Sequence, residues 1–258
     1  MKKIWKYRFY YYLALPGLIY FIIFHYVPMG GALIAFKDIS PFDGLRGFFD
    51  APWVGFKHFE RFTSSVYFLD VIENTLIISG LKILFGFPAP IILALLLNEV
   101  LRMSLKRIMQ TISYLPHFIS WVVTAGMITA LLATSGGLLT ETINDFTGSN
   151  INFLGNKDYF VGILVTSHVW KTIGWSSIIY LAAMSSIDPA LYESARIDGA
   201  NRLQMAWHIT LPSIMFVIVI MFLLEIGNLL EAGFEQILLL YSPSVYKVAD
   251  IIDTFVYR

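Results

Sequence analysis

Tyr192-Glu193-Ser194-Ala195-Arg196-Ile197-Asp198-Gly199-Ala200, running on to Ile209-Thr210-Leu211-Pro212, is a polar, helix-prone insert between two hydrophobic stretches. Asp188-Pro189 just upstream has the chemistry of a helix start. The Asp side chain accepts orphan N–H groups, and proline at the first helical position gives up a hydrogen bond that no partner would have taken. Good helix formers follow from Ala190 to Asp198. Gly199 breaks the run, because glycine tolerates backbone angles closed to other residues. Ala200 to Ile209 reads as a second short helix, and Pro212 stands where the next apolar run begins. The pattern predicts a compact helix–glycine–helix knob over 188–208. Leu191, Ala195 and Ile197 are its expected packing side, and Arg196, Asp198 and Arg202 its polar side. A short helix resists bending, so such a knob transmits a push.

The rest of the chain sets the knob in a membrane. Of 258 residues, 57% are hydrophobic and 14% charged, against roughly 25% charged in soluble domains. Mean hydropathy is +0.68. A net charge of zero gives no case for nucleic acid. The absence of cysteine excludes disulfides and thiolate metal sites. Met1 to Arg8 is basic and is followed by apolar sequence, as in a signal peptide. That apolar stretch is too long for one, and no small-x-small cleavage pattern follows, so it reads as a retained span.

About 20 apolar residues cross a bilayer. Five stretches qualify: Phe9 to Phe36, Val71 to Asn98, a span within Ile108 to Thr140, Tyr159 to Ser186, and Trp207 to Leu230. Pro16, Pro88, Pro90 and Pro116 fall in or near them, which neighbouring helices can accommodate. The runs are too long and too little alternating for a β-barrel. The expected fold is an all-α polytopic membrane domain over 1–258, with no internal repeat or linker. Lys2, Lys3, Lys6, Arg8, Arg102, Lys106, Arg107, Arg196 and Arg202 flank one side. Lys37, Arg46, Lys57, Arg61, Lys157, Lys247 and Arg258 flank the other. Nine against seven is a weak bias that puts the N-terminus and the knob inside. The 37–68 loop dilutes it, since its basic residues alternate with Asp38, Asp43, Asp50 and Glu60. Tyr246 to Arg258 reads as an amphipathic end without a closing span, and a sixth span is expected beyond it.

Acid-small-small at Glu193, Ser194 and Ala195, Gly199 four residues on, then Ile209-x-Leu211-Pro212, resembles the "EAA" loop of type I ABC-importer permeases, the binding-protein-dependent transport system inner-membrane components. Ser194 departs from the usual alanine but stays small. Further stretches resemble the LplB-type carbohydrate branch: Pro52 to Phe59, Phe85 to Pro90, Leu96 to Val100, Leu115 to Ser120 and Gly174 to Tyr180. Members of that branch have six spans and continue past the Val-Tyr-Arg at 256–258. The resemblance implies a permease that conducts a carbohydrate, typically an oligosaccharide, and does no chemistry itself. It implies a bacterial cell membrane, a second homologous permease, two ATPase subunits and an extracytoplasmic solute-binding lipoprotein. ATP and Mg²⁺ would sit on the ATPases, with no cofactor in this chain. Glu193, Ser194, Ala195, Asp198, Gly199, Ala200 and Arg202 would carry the ATPase coupling.

Charges inside spans are functional candidates by default. Lys82, Lys171 and Glu225 are such charges, with mutual neutralisation or snorkelling of Lys82 as the plainer readings. His168, Trp170, Lys171 and Trp175 put two aromatic and two polar groups within two turns, a combination suited to stacking and hydrogen-bonding a sugar. Interface belts use aromatics as well. Glu225 and Asn228, three apart, share a helix face and could accept sugar hydroxyls. The 37–68 loop, with Trp53 and several Phe, caps the outer mouth, meets the binding protein, or packs on its own permease. The five histidines, at 25, 58, 117, 168 and 208, are scattered, and no metal site is assigned. The rival class is a secondary transporter or channel for a small polar solute. It lacks support from repeats or paired broken helices. No HExxH, GxSxG or GxxxxGK[ST] occurs, so neither a polytopic enzyme nor an internal ATPase is expected.

Overall fold

The computed structural model describes residues 5–40, 42, 44–149 and 151–258. Lys2, Lys3 and Asp43 lie outside the described residues, as does the side chain of Arg46. Among the described residues regular structure is helical, apart from one isolated antiparallel bridge between Lys37 and Trp53. The chain forms two compact units, Met1–Phe68 and Leu69–Arg258.

The first unit opens with α1, Arg8–Phe21. A π turn, a short α turn and a 3-10 turn extend it into an apolar helix of 29 residues, Arg8–Phe36. None of its most apolar window is buried, so its aromatic and aliphatic side chains face outward all round. That is the signature of a helix whose solvent is lipid. Beyond it lie α2, Gly44–Asp50, and α3, Lys57–Thr63. The loop between packs on itself. Lys37 is buried, donates to the Phe48 and Phe49 carbonyls at 2.8 and 3.2 Å, and lies 5.1 Å from the Trp53 ring. Phe36, Phe56 and Phe59 form a ring cluster with centroids 5.3–5.7 Å apart. Lys57 pairs with Asp38 at 2.9 Å in the open, and its hydrogen bond and charge hold that carboxyl below its usual range.

The second unit begins with α4, Phe68–Gly86, and α5, Pro88–Asn98, which together make a 31-residue apolar run. Next come α6, Met103–Tyr114, a 3-10 turn at Leu115–Phe118, and α7, Trp121–Leu132. The span expected within 108–140 is not one straight helix, since this pair is bent by 101°. Pro116 sits in the turn, and Ser120 restarts the chain by accepting the Val123 N–H. A short helix α8, Leu138–Thr147, leads to α9, Lys157–Met184. At 28 residues α9 spans about 42 Å, enough for a bilayer. Three helices in the described residues are long and apolar enough to cross a membrane, or four if the bent pair counts as one. The span expected over Tyr159 to Ser186 is present as α9, which is long enough to cross but less apolar than these three, with Lys171 within it.

The knob follows as α10, Pro189–Ile197, and α11, Arg202–Met205. Its second helix is not separate, contrary to expectation. A π turn, Ala206–Thr210, carries it into α12, Leu211–Gly227, as one helix of 26 residues. The end of the chain forms α13, Phe234–Leu240, α14, Tyr246–Ala249, and α15, Ile252–Tyr257. These short helices are held by burial. Ile237, Val245 and Ile251 share a core with Ile78, Phe160 and Leu164. Asn74 donates to the Lys247 and Asp250 carbonyls, and Thr75 accepts from the Ile252 N–H, each at 3.1 Å. A second core joins α5, α9 and α12 through Ile91, Ala94, Tyr180, Met184 and Ile214.

Candidate functional site: a polar groove and an exposed knob

α9 packs along α5 and α12, and at that junction a cavity of about 180 Å³ opens. His168, Thr172, Ser176 and Tyr180 line it from α9. Their four-residue spacing puts them one above another on a single helix face. Glu225 and Met221 face them from α12, and Gly86, Phe87 and Pro90 close the end where α4 gives way to α5. The imidazole of His168 packs over Gly86, with Cδ2 3.6 Å from where a Cβ would lie. The wall thus offers hydroxyls, an imidazole and a carboxylate, a set that exchanges hydrogen bonds with a polyhydroxylated solute.

Of the predicted solute-path residues, His168 and Glu225 meet in this cavity. The others lie elsewhere. Lys171 is buried on another face of α9. Its ammonium donates to the Pro116 and His117 carbonyls, both at 3.2 Å, and to the Ile119 carbonyl. They lie in the break between α6 and α7, where the last carbonyls of a helix lose their partners. The Pro116 carbonyl also accepts the Ile119 N–H at 3.3 Å, and Lys171 caps the broken helix. Gly174 permits the approach: a Cβ there would overlap the Ser113 carbonyl. Trp175 stacks on His117 with centroids 4.7 Å apart and planes 2° from parallel. Trp170 projects between two apolar lateral depressions, one against Met127 and Leu131, the other against Phe85 and Ile92. Asn228 is exposed at the C-terminus of α12.

Lys82 neither snorkels nor pairs with Glu225. It is 5% exposed and donates to the Ala232 carbonyl at 2.7 Å and to Gln236 Oε1 at 2.5 Å. Gln236 in turn donates to the Leu164 carbonyl and Ser167 Oγ, both at 2.8 Å. Gly233, at φ +92°, keeps the space clear, since a Cβ would come within 2.7 Å of the ammonium. Neither lysine forms an ion pair among the described residues. Both spend their protons on backbone or amide oxygens. Thr172, Ser176 and Tyr180 were missed in the sequence, although their spacing from His168 was the signal.

The knob forms as its caps dictate. Asp188 accepts the Ala190 N–H at 2.9 Å. Gly199 takes φ +81°, a left-handed turn that only glycine enters freely. Asn201 and Gln204 close a capping box at 2.8 and 2.9 Å. Glu193, Ser194, Asp198, Gly199 and Arg202 are exposed, while Ala195 and Ala200 are half-buried. With His208, the residues Ala195, Asp198, Gly199 and Ala200 border a surface notch of about 360 Å³. The expected packing side is largely unpacked: Ile197 is 86% exposed and Leu191 48%. Arg202 reaches Glu99 at the end of α5, 3.6 Å away.

Residues 86–256 match the family of binding-protein-dependent transport system inner membrane components. The chain is 48% identical over 256 residues to the polygalacturonan/rhamnogalacturonan transport system permease protein YteP of Bacillus subtilis, covering 99% of this chain and 78% of that protein. Protein LplB of the same organism is 44% identical over 247 residues, covering 96% and 77%. The crystal structure of a bacterial ABC transporter involved in the import of the acidic polysaccharide alginate superimposes with a TM-score of 0.90 at 44% identity. That match covers 100% of this chain and 85% of the other. The family match takes in the groove, the knob and the lysine-capped helix break alike, and the chain belongs to the binding-protein-dependent transport system inner membrane components, multi-pass membrane permeases of ABC importers.

Proposed function

We propose that this chain is the permease subunit of an ATP-driven importer that carries an oligosaccharide across a bacterial cell membrane, with its N-terminus and the 188–208 knob in the cytoplasm. Its partners are a second homologous permease, two ATPase subunits and an extracytoplasmic binding lipoprotein that delivers the sugar. ATP and Mg²⁺ belong to the ATPases, and nucleic acid has no part. In this reading the 1–258 chain works as one transmembrane permease domain. The observation that carries the reading is the unbroken helix from Arg202 to Gly227. It begins in an exposed knob and ends beside the polar cavity holding Glu225. A push on Glu193, Ser194 and their neighbours is delivered along that rod to the wall of the solute path, and alternating access follows from the rocking of α12 against α9. A similar bacterial alginate ABC transporter has been solved in complex with an alginate pentasaccharide-bound periplasmic protein, and YteP is a polygalacturonan/rhamnogalacturonan transport system permease; both support a chain of sugar units as cargo.

The test uses the cysteine-free sequence. A single cysteine at the exposed Ser194 is crosslinked to a single-cysteine ATPase subunit in membranes, with and without ATP. A nucleotide-dependent crosslink is expected. Its absence, with the partner permease and both subunits present, overturns the docking of the knob on the ATPase and its cytoplasmic orientation.

A further inference from the structure

Two links join α10 to the long helix behind it. One is the chain itself, through Gly199 at φ +81°, where a Cβ would meet nothing within 4 Å. That link is a single left-handed turn, closed by the Gly199 N–H on the Arg196 carbonyl at 3.1 Å. The other is a hydrogen bond between the Tyr192 hydroxyl and Thr210 Oγ1 at 2.9 Å. Tyr192 is half-buried on α10, and Thr210 is buried as the last residue of the π turn. Thr210 Oγ1 lies 3.4 Å from the Met205 carbonyl, which takes its proton. The Tyr192 phenol is then the donor across the gap. Among the described residues this is the one side-chain hydrogen bond between α10 and the 202–227 helix. The backbone contact from Ala200 N–H to the Ala195 carbonyl belongs to the Gly199 turn itself.

We infer that Tyr192 and Thr210 form a strut that makes the knob and α12 move as one body. The inference deepens the importer reading and rests on it for its role in coupling. A π turn carries one residue more than an α turn, and such turns recur at functional sites. Here the wide turn sets the Thr210 hydroxyl where the phenol meets it. From Thr210 to Glu225 is 15 residues of helix, about 22 Å along the axis. With the strut in place, a displacement of α10 reaches Glu225 along that rod. Without it, α10 turns about Gly199 and the rod stays still. Tyr192 and Thr210 are positioning residues, and neither lines the cavity.

The strut is tested in the full chain in lipid nanodiscs, with spin labels on cysteines at Ser194 on the knob and Phe216 on the outward face of α12. The expected result is one narrow distance distribution for the native strut. Tyr192→Phe and Thr210→Val should each raise the population away from that distance about five-fold, the factor set by one neutral hydrogen bond. Thr210→Ser, which keeps the hydroxyl, should restore the narrow peak. The Phe/Val double variant should be no broader than either single one. In the assembled importer, ATP should then shift the knob label relative to α12 only in the strut-less variants. Unchanged distributions in Tyr192→Phe and Thr210→Val overturn the strut, and so does failure of Thr210→Ser to restore the peak. A strut confirmed in the chain alone, with no Ser194 crosslink to an ATPase, overturns the coupling role of the knob instead.

Discussion

Gly174→Ala places a methyl group on backbone. The new Cβ would lie 2.9 Å from Tyr114 N and closer still to the carbonyl of Ser113, where ordinary contact is 3.4–4 Å. The obstacle is main chain at the end of α6, so no rotamer change relieves it. Either α9 backs away or the turn at 115–118 is displaced. Both movements pull the Lys171 ammonium off the carbonyls it caps. Overpacking of a close-packed interior costs about 1–3 kcal/mol, and a backbone obstacle argues for the top of that range. At about 3 kcal/mol, a chain of this size should lose roughly 6–12 °C in melting temperature. The control is Gly162→Ala on the same helix, where a Cβ meets nothing within 4 Å. It should gain up to about 1 kcal/mol in helix propensity. The assay is thermal unfolding of the purified chain in detergent, followed by tryptophan fluorescence, since Trp175 sits beside the turn and reports its displacement. Equal melting temperatures for the two alanine variants would refute the close approach and, with it, the account of Lys171 as a helix cap.

Gly199→Glu should enter the membrane at normal levels, because the site is open and the left-handed backbone costs only about 1–2 kcal/mol. ATP-driven uptake in cells should nevertheless be lost, as read by labelled-sugar accumulation beside an immunoblot. Gln236→Leu should destabilise the chain by about 1–3 kcal/mol, since the buried Lys82 loses one of its two oxygen partners. Adding Lys82→Met should return most of that loss, which chemical unfolding of the single and double variants would measure. Glu225→Gln should lower uptake about ten-fold, the equivalent of one hydrogen bond to a charged group, and Thr172→Val about five-fold, the equivalent of one neutral hydrogen bond. Neither should change the melting temperature, whereas Lys171→Ala should lower both.

The knob was legible in the sequence because its determinants are local. Asp188 caps the residues beside it, Pro189 fits only a first turn, and Gly199 alone accepts φ +81°. The membrane class was legible for a similar reason: long uncharged runs need no partner to be recognised. Local reasoning also singled out Glu225 and His168, and the structure brings the two to one cavity. It failed where a side chain answers to a distant segment. Lys82 and Lys171 look alike in sequence, as charges stranded in apolar runs. One holds an amide 154 residues away and the other caps a break 52–55 residues away. Ile197 looks like a packing residue and is 86% exposed. The bend inside the third stretch, at Pro116 and Ser120, was not read, because its direction depends on what receives the freed carbonyls.

The sequence by itself determined the class and the knob's caps. Those follow from backbone preference and from hydrophobic periodicity, both of which act over a few residues. Tertiary structure decided which polar groups share the cavity, which ammonium satisfies which carbonyls, and that the second half of the knob is the foot of α12. In a low-dielectric interior an unpaired charge or carbonyl is too costly to leave. Each therefore takes whatever partner the packing of α4, α9 and α13 brings within reach, and no local pattern in the chain specifies that partner.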